Sequence, residues 1–293
     1  MADPKKKLVA NIEADFFVDS TCINCDTCRQ IAPLNFSESE DYSFVNKVTE
    51  NDEEFIDSYK ALLSCPTGSI GYTGTKKVTE IINEYPEKLV DEDGIQIYFN
   101  GFTSVKSYAA KSYFLQTSEA NWLIDSPRYV KPLVEKFKAM GGIDYIFLSH
   151  RDDVADADKY AKEFGAKRII HEYELSAQPD SEIVIQGEQD CDFNSDIKFL
   201  FAPGHTKGHL LFYLKNKYLF TGDHLSWSRR KDSINAFKDF CWYSWELQLE
   251  SLAKLLEVDF EWLLPGHGMY KHLSNEQMRA ELRDMLEYFS ENN

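Results

Sequence analysis

Cys22, Cys25 and Cys28 fall at two successive three-residue intervals, and Cys65 follows some distance on, directly before Pro66. Thiolates spaced in this way converge from one tight loop and one later turn on a single centre, an arrangement that fits one iron–sulfur cluster. Zinc is the main competitor, but zinc sites usually draw on two knuckle pairs, or on a cysteine pair with a histidine pair. Unrelated buried thiols rarely fall at such regular intervals. Cys191 and Cys241 have no partner motif and read as isolated buried thiols.

A second constellation lies further along the chain. Four apolar runs each end beside glycine or serine in a residue able to bind metal. Residues 143–148 lead into Ser149-His150, and 199–202 into Pro203-Gly204-His205-Thr206-Lys207-Gly208-His209. Residues 218–221 lead into Gly222-Asp223-His224, and 262–264 into Pro265-Gly266-His267-Gly268. A strand end fixes the backbone while the following turn lets side chains converge, which is how a rigid scaffold builds a metal site. A lone histidine is usually a satisfied core or surface residue; four such endings in series are a pattern.

The elements that must position these residues can be read from periodicity. Phe16-Phe17-Val18 reads as a short strand entering the cysteine loop, and 42–48 alternates as a strand or hairpin. Behind Asn51 as N-cap, Phe55, Ile56, Tyr59, Leu62 and Leu63 have helical spacing, so a helix over 51–64 delivers Cys65. Between 73 and 89 the composition shifts to Gly, Thr, Lys and Pro. The domain junction is placed there, giving domains 1–75 and 76–293, with 78–85 a short strand or helix between them.

Composition bounds the function. The chain has 293 residues, enough for two domains, and 43% are apolar, as in globular proteins. No apolar run reaches the length of a membrane span, and the start, Met1-Ala2-Asp3-Pro4-Lys5-Lys6-Lys7, lacks a secretory apolar stretch. A soluble protein of the cytoplasm or an equivalent reducing compartment is expected, since thiolate clusters favour reducing conditions. The formal net charge of −17 argues against nucleic acid or anionic membrane as partners. Acidic residues crowd the first domain, a surface suited to a basic redox partner or merely to solubility.

About the first 75 residues resemble a single-cluster bacterial-type ferredoxin domain. With one set of four cysteines, the resemblance implies one 4Fe–4S cluster on Cys22, Cys25, Cys28 and Cys65. From about Gly94 onward the chain resembles the metallo-β-lactamase fold, on Ser149-His150, Ala-Pro-Gly-His205-Thr-Lys-Gly-His209, Thr-Gly-Asp223 and Leu-Pro-Gly-His267-Gly. The stretches 111–116 and 121–126 are similar to that family's opening hairpin, where Asp125 is more often structural than a ligand. The implied fold class is α+β, a ferredoxin-like domain followed by an αββα sandwich with a metal site at one edge.

The departure from the family is informative. Its usual motif is His-x-His-x-Asp-His, whereas this chain reads His150-Arg151-Asp152-Asp153-Val154-Ala155. Val154 and Ala155 cannot coordinate, so the resemblance implies one metal rather than two, held by His150, His205 and Asp223 with Asp152 and His267 alongside. Asp153 or Asp156 are substitute ligands if the loop shifts, although acidic residues here, Asp156 and Asp158 especially, also suit a helix N-terminus. Two histidines and a carboxylate form the triad that holds non-haem Fe(II), and persulfide dioxygenases of this fold are similar in this respect. Zinc accepts the same ligands. His209 reads as a supporting residue, Lys207 as an exposed turn lysine, and His224 as facing away. The aromatics and Arg229-Arg230 within 225–245 form a candidate wall for an anionic substrate.

No serine-nucleophile elbow, phosphate loop or dinucleotide fingerprint is present. The tethered cluster favours iron over zinc and an oxidoreductase acting on a small molecule not specified by the sequence. The alternatives are a metal-dependent hydrolase with a structural or regulatory cluster, and a non-catalytic electron-transfer or sensor protein. No residue stands out as a catalytic acid, base or nucleophile, and oligomeric state is not encoded in any motif.

Overall fold

The structure, a computed structural model, describes residues 2–76 and 81–292, and the chain divides into two compact units. One comprises Met1–Asn121 with Pro127–Gly142, the other Trp122–Ser126 with Ile143–Asn293.

The first unit opens with β1 (Phe16–Val18), α1 (Thr27–Ile31), β2 (Phe36–Glu38), β3 (Ser43–Val45), α2 (Asp52–Ser64) and β4 (Ile70–Tyr72). β1 pairs antiparallel with β4, and β2 with β3. The Asn51 side chain accepts the Glu54 N–H at 2.9 Å, while Asp52, Glu53 and Glu54 fill the first turn of α2, where the helix dipole favours negative charge. On the apolar face of α2, the Phe55 ring lies 5.6 Å from Phe16 and 5.5 Å from Tyr72. These rings belong to the core that also holds Cys28 and Cys65. Cys65 caps the helix in an extended conformation, which turns the chain and frees its thiol from the helical repeat.

Of the segment 78–85, residues 78–80 lie outside the described residues, and Ile81–Glu84 form one 3₁₀ turn. β5 (Glu87–Glu92), β6 (Ile95–Phe99) and β7 (Tyr113–Gln116) then make an antiparallel ladder. α3 (Lys131–Ala139) stacks Phe137 on Phe114 of β7 at 4.7 Å.

The second unit is layered. β8 (Asn121–Ile124), β9 (Tyr145–Phe147), β10 (Lys167–His171) and β11 (Ile183–Ile185) run parallel in that order, with α4 (Ala157–Phe164) packed on β10. β12 (Cys191–Asp192), β13 (Ile197–Phe201), β14 (Leu210–Leu214) and β15 (Tyr218–Gly222) pair antiparallel in sequence. The hairpin of β16 (Ser226–Ser228) and β17 (Ser233–Asn235) and then α5 (Trp245–Lys254) follow. β18 (Trp262–Pro265) joins β15 in parallel and β19 (Lys271–His272) closes the edge, before α6 (Asn275–Glu291).

Phe147 of the first sheet meets Phe199 and Phe212 of the second at 4.9 and 5.2 Å, so the inner faces share one aromatic core. On the outer face of the second sheet, Leu211, Leu219 and Leu263 pack with Leu252 of α5 and with Met278 and Leu282 of α6. Each such buried side chain is worth about 1.5–3 kcal/mol. The order helix, sheet, sheet, helix is the sandwich expected from the sequence. It holds the chain ends leaving β9, β13, β15 and β18 on rigid supports.

Candidate metal centres

Cys22, Cys25, Cys28 and Cys65 line one cavity of the first unit, with Val18, Pro66 and Ile70 among its walls. None forms a disulfide. Asn24 (φ 57°) and Asp26 (φ 67°) adopt left-handed conformations that wind the loop tightly. Buried Arg29 pins both: its guanidinium donates to Asn24 Oδ1 at 2.7 Å, Asp26 Oδ1 at 2.5 Å and Ser43 Oγ at 2.6 Å. The Ser69 N–H donates to Cys65 Sγ at 3.2 Å, and those of Asn24 and Ser43 to Cys22 Sγ at 3.5 Å. Such bonds to sulfur help set a cluster's potential. Burial pushes the Cys25 and Cys28 thiols up, and a coordinated metal is what would deprotonate them. The convergent sulfurs and the N–H groups aimed at them fit a cluster. Ala32-Pro33 stands where a two-cluster ferredoxin carries its next Cys-Pro, a signal available in the sequence.

The same unit anchors the cysteine turn. Arg128 donates to Leu63 O at 3.0 Å, Cys65 O at 3.3 Å and Pro66 O at 3.5 Å. Thr103 Oγ1 donates to Ser64 O, and Tyr108 OH to Ile23 O, each at 2.6 Å. These partners lie between 39 and 85 residues from the backbone groups they hold in sequence terms, so spacing gave no hint of them.

In the second unit, ligand atoms of His150, His205 and Asp223 lie within 4.8 Å of one another. Asp223 Oδ2 is 3.7 Å from Nε2 of both histidines. Asp152 Oδ2 lies 3.8 Å from His150 Nε2 and 3.7 Å from His205 Nε2. His267 Nε2 approaches Asp223 Oδ2 at 3.4 Å. The structure thus brings together all five expected residues. Both Nε2 atoms and Asp152 Oδ2 are buried without a hydrogen-bond partner among the described residues, as fits atoms that would hold a cation.

Supporting contacts explain the geometry. Ser149 donates to Asp125 through its backbone N–H (2.8 Å) and through Oγ (2.9 Å), and Oγ lies 2.9 Å from His150 Nδ1. With the hydroxyl hydrogen on the carboxylate, Ser149 Oγ accepts from His150 Nδ1–H, which leaves the Nε2 lone pair for a metal. Burial pushes Asp125 up to about 7 against these donors, and burial together with neighbouring His205 pushes His150 down.

Glu174, fully buried, accepts the Gly208 N–H at 2.7 Å and the Arg151 guanidinium, joining the turns that carry His205 and His150. α5 ties the Asp223 turn to the His205 turn: Gln248 donates to His224 O at 3.0 Å and Ser251 to Pro203 O at 2.7 Å. Gly204 (φ 150°) is required there, because a Cβ would sit 2.3 Å from Gln248 Cα.

The remaining expectations sort themselves by burial. His209 is buried and stacks on His150 at 4.8 Å; His224, pushed down to about 3 by burial, packs against His209 outside both ligand groups. Lys207 is exposed over the Tyr173 ring, and Asp156 pairs with Lys159 ahead of α4. Within 225–245, Trp227 and Trp245 are buried and Arg229-Arg230 occupy an exposed hairpin turn. Phe240, Trp242 and Tyr243 are the exposed aromatics, and the Trp242 and Tyr243 N–H groups donate to His205 O. Cys191 and Cys241, expected to be buried, are half-buried. Asp153, weighed only as a substitute, groups with Asp223 and His267, ligand atoms again within 4.8 Å.

Comparison with known proteins agrees with both halves. Residues 18–72 match the family described as the 4Fe-4S single cluster domain of ferredoxin I. The hydroxyacylglutathione hydrolase of Pelagibacter ubique (strain HTCC1062) is 30% identical over 105 residues, 34% of this chain and 44% of that protein. This chain therefore spans less than half the length of that curated relative. The crystal structure of a metallo-β-lactamase from Hirschia baltica superposes with a TM-score of 0.51 at 12% identity, covering 68% of this chain and 97% of that one. The structure of VMB-1 gives 0.50 at 16% identity, covering 69% and 98%. No helix among the described residues is long and apolar enough to cross a membrane. The chain joins an N-terminal single-cluster ferredoxin-type domain, whose family implies a 4Fe–4S cluster, to a metallo-β-lactamase fold with a metal-binding constellation.

Proposed function

We propose that this protein is an oxidoreductase in which the cluster on Cys22, Cys25, Cys28 and Cys65 exchanges electrons with an iron centre held by His150, His205 and Asp223. The observation that carries this reading is the anchoring of the cluster turn by Arg128, Thr103 and Tyr108, which builds a redox element into the same compact unit as β5, β6 and β7. Two imidazoles and a carboxylate suit Fe(II), and iron so bound supplies redox chemistry with positions open to substrate. Zinc would supply none of the electron chemistry that a cluster serves.

The chain's own residues then have defined tasks. Ser149 and Asp125 hold the His150 ring in one orientation, and Glu174 keeps the two histidine turns in register. Trp242 and Tyr243 offer apolar surface beside His205, where a small molecule would lie. The β2–β3 turn exposes Glu38, Glu40 and Asp41, and Asn24 of the cysteine loop donates to Glu40 O at 3.2 Å. An external basic redox partner would dock there by charge complementarity, in a reducing compartment that keeps the thiolates intact.

The second reading is a metal-dependent hydrolase with a structural cluster, favoured by the likeness to a hydroxyacylglutathione hydrolase. Cys25→Ser separates the two. Loss of dithionite-linked turnover, with the second metal retained, supports the oxidoreductase. Thioester cleavage that persists at wild-type rate in Cys25→Ser and is indifferent to dithionite overturns it.

A further inference from the structure

Beside the cysteine cavity the hydroxyl groups form a chain whose hydrogens can be counted. Thr67 Oγ1 lies 3.6 Å from Cys65 Sγ and 2.6 Å from Ser69 Oγ, and Ser69 Oγ lies 2.7 Å from Thr21 Oγ1. Thr21 Oγ1 in turn donates to Asp19 Oδ1 at 2.5 Å. Cys65, Thr67 and Ser69 all line the cavity, and both Ser69 and Asp19 are buried.

Asp19 fixes one end of this chain. Its Oδ1 also accepts the Thr21 N–H at 2.9 Å and its Oδ2 the Asp3 N–H at 2.8 Å, so it acts as a carboxylate that only accepts. Each hydroxyl brings a single hydrogen. That of Thr21 goes to Asp19, so the contact between Thr21 and Ser69 takes the Ser69 hydrogen. The contact between Ser69 and Thr67 then takes the Thr67 hydrogen, because two oxygens this close without a hydrogen between them would repel. None remains for the sulfur.

We propose that Asp19, acting through Thr21 and Ser69, turns the Thr67 hydroxyl away from Cys65, so that an oxygen lone pair faces this sulfur and holds the cluster at a lower reduction potential. This rests on the reading that the four cysteines carry a cluster. A hydrogen aimed at a sulfur stabilises the extra negative charge of the reduced cluster, and a lone pair opposes it. Ser43 shows the opposite arrangement in the same cavity. Its Oγ accepts from Arg29 at 2.6 Å, which leaves its own hydrogen for Cys28. Burial pushes the Cys28 thiol up, and the bond with the Ser43 hydroxyl acts the other way. A cation thus orients one hydroxyl towards a sulfur, while an anion orients the other away. Cys65 keeps the Ser69 N–H as a donor, at 3.2 Å.

The test is a redox titration of the full chain, followed by the visible absorbance and the electron paramagnetic resonance of the cluster. Thr67→Val is expected to shift the midpoint potential upward, whereas removing a hydroxyl that donated to Cys65 would shift it downward. Ser69→Ala keeps the backbone N–H on Cys65 but cuts the chain, so the released Thr67 hydroxyl turns to the sulfur and the potential rises here too. In the Ser69→Ala background, Thr67→Val should then lower the potential, a reversal of sign that a merely structural role would not produce. Each single variant is a test by itself, which covers the case in which the other fails to assemble a cluster. A potential that falls or stays unchanged in either one overturns the orientation. A wild type without a reducible cluster overturns the reading on which it rests.

Discussion

Ser149→Ala is the sharpest single perturbation of the first ligand set, because it removes one oxygen that makes contacts in two directions. Ser149 Oγ sits 2.9 and 3.0 Å from the two oxygens of Asp125 and 2.9 Å from His150 Nδ1. The variant keeps the Ser149 N–H on Asp125 at 2.8 Å, so the carboxylate stays partly satisfied. It loses one charge-assisted bond, worth about 1.5–3 kcal/mol, and leaves the His150 Nδ1–H unpaired in a fully buried ring, costing about 1–3 kcal/mol. These share one atom and one relaxation, so a total destabilisation of about 2–4 kcal/mol is expected rather than the full sum. Without that partner the ring is free to rotate, and metal affinity should fall by about 10–100-fold. Competition between the metal-depleted second unit of the full chain and a chromophoric chelator, titrated with Co²⁺, measures that fall directly. Affinity within about threefold of wild type, with unchanged thermal stability, would refute the role given to this contact.

Three further outcomes are expected. His205→Ala should lose the metal of the second unit and keep the visible spectrum of the cluster; full metal occupancy would show that the ligand set is misassigned. Arg128→Met removes one well-formed and two long hydrogen bonds to the α2 terminus and the cysteine turn, a loss of about 2–4 kcal/mol. Its cluster absorbance should bleach faster under a chelator, and wild-type bleaching would contradict the anchoring. Burial acts to raise the Glu182 carboxyl, but bonds from Arg168 outweigh it and hold it below its usual range. A depressed folded-state value contributes stability present above the ordinary carboxylate range and lost as pH falls through the folded value. The Tm deficit of Glu182→Gln at neutral pH should therefore shrink in acid, and a deficit constant with pH would be inconsistent with this.

What the sequence made legible was local. The spacing of Cys22, Cys25 and Cys28, the Asn51 cap and the strand endings at His150, His205, Asp223 and His267 depend on a few neighbouring residues, and so survive reading in one dimension. Asp153 was legible only as a substitute ligand beside Asp156, because its place next to Asp223 and His267 depends on whether the turn after His150 is 3₁₀ or extended, a choice of one residue's register. Arg128 was silent because its targets lie more than 60 residues away. The aromatics of 225–245 looked equivalent in sequence, but packing against α6 and its neighbours buries Trp227 and Trp245, whereas Trp242 stays exposed beside His205. Hydrophobicity was visible; which side of the sheet it would serve was not.

The central claim is that one chain holds two kinds of iron that exchange electrons. Mössbauer spectroscopy of ⁵⁷Fe-enriched protein, isolated without oxygen and then oxidised stepwise, tests it directly. The account predicts the signal of a sulfur-ligated 4Fe–4S cluster together with high-spin ferrous iron in a nitrogen and oxygen environment, the latter absent from His205→Ala. In wild type its oxidation should follow that of the cluster, and in Cys25→Ser it should become slow. Sulfur-ligated iron alone, with zinc at His150, His205 and Asp223, would contradict it.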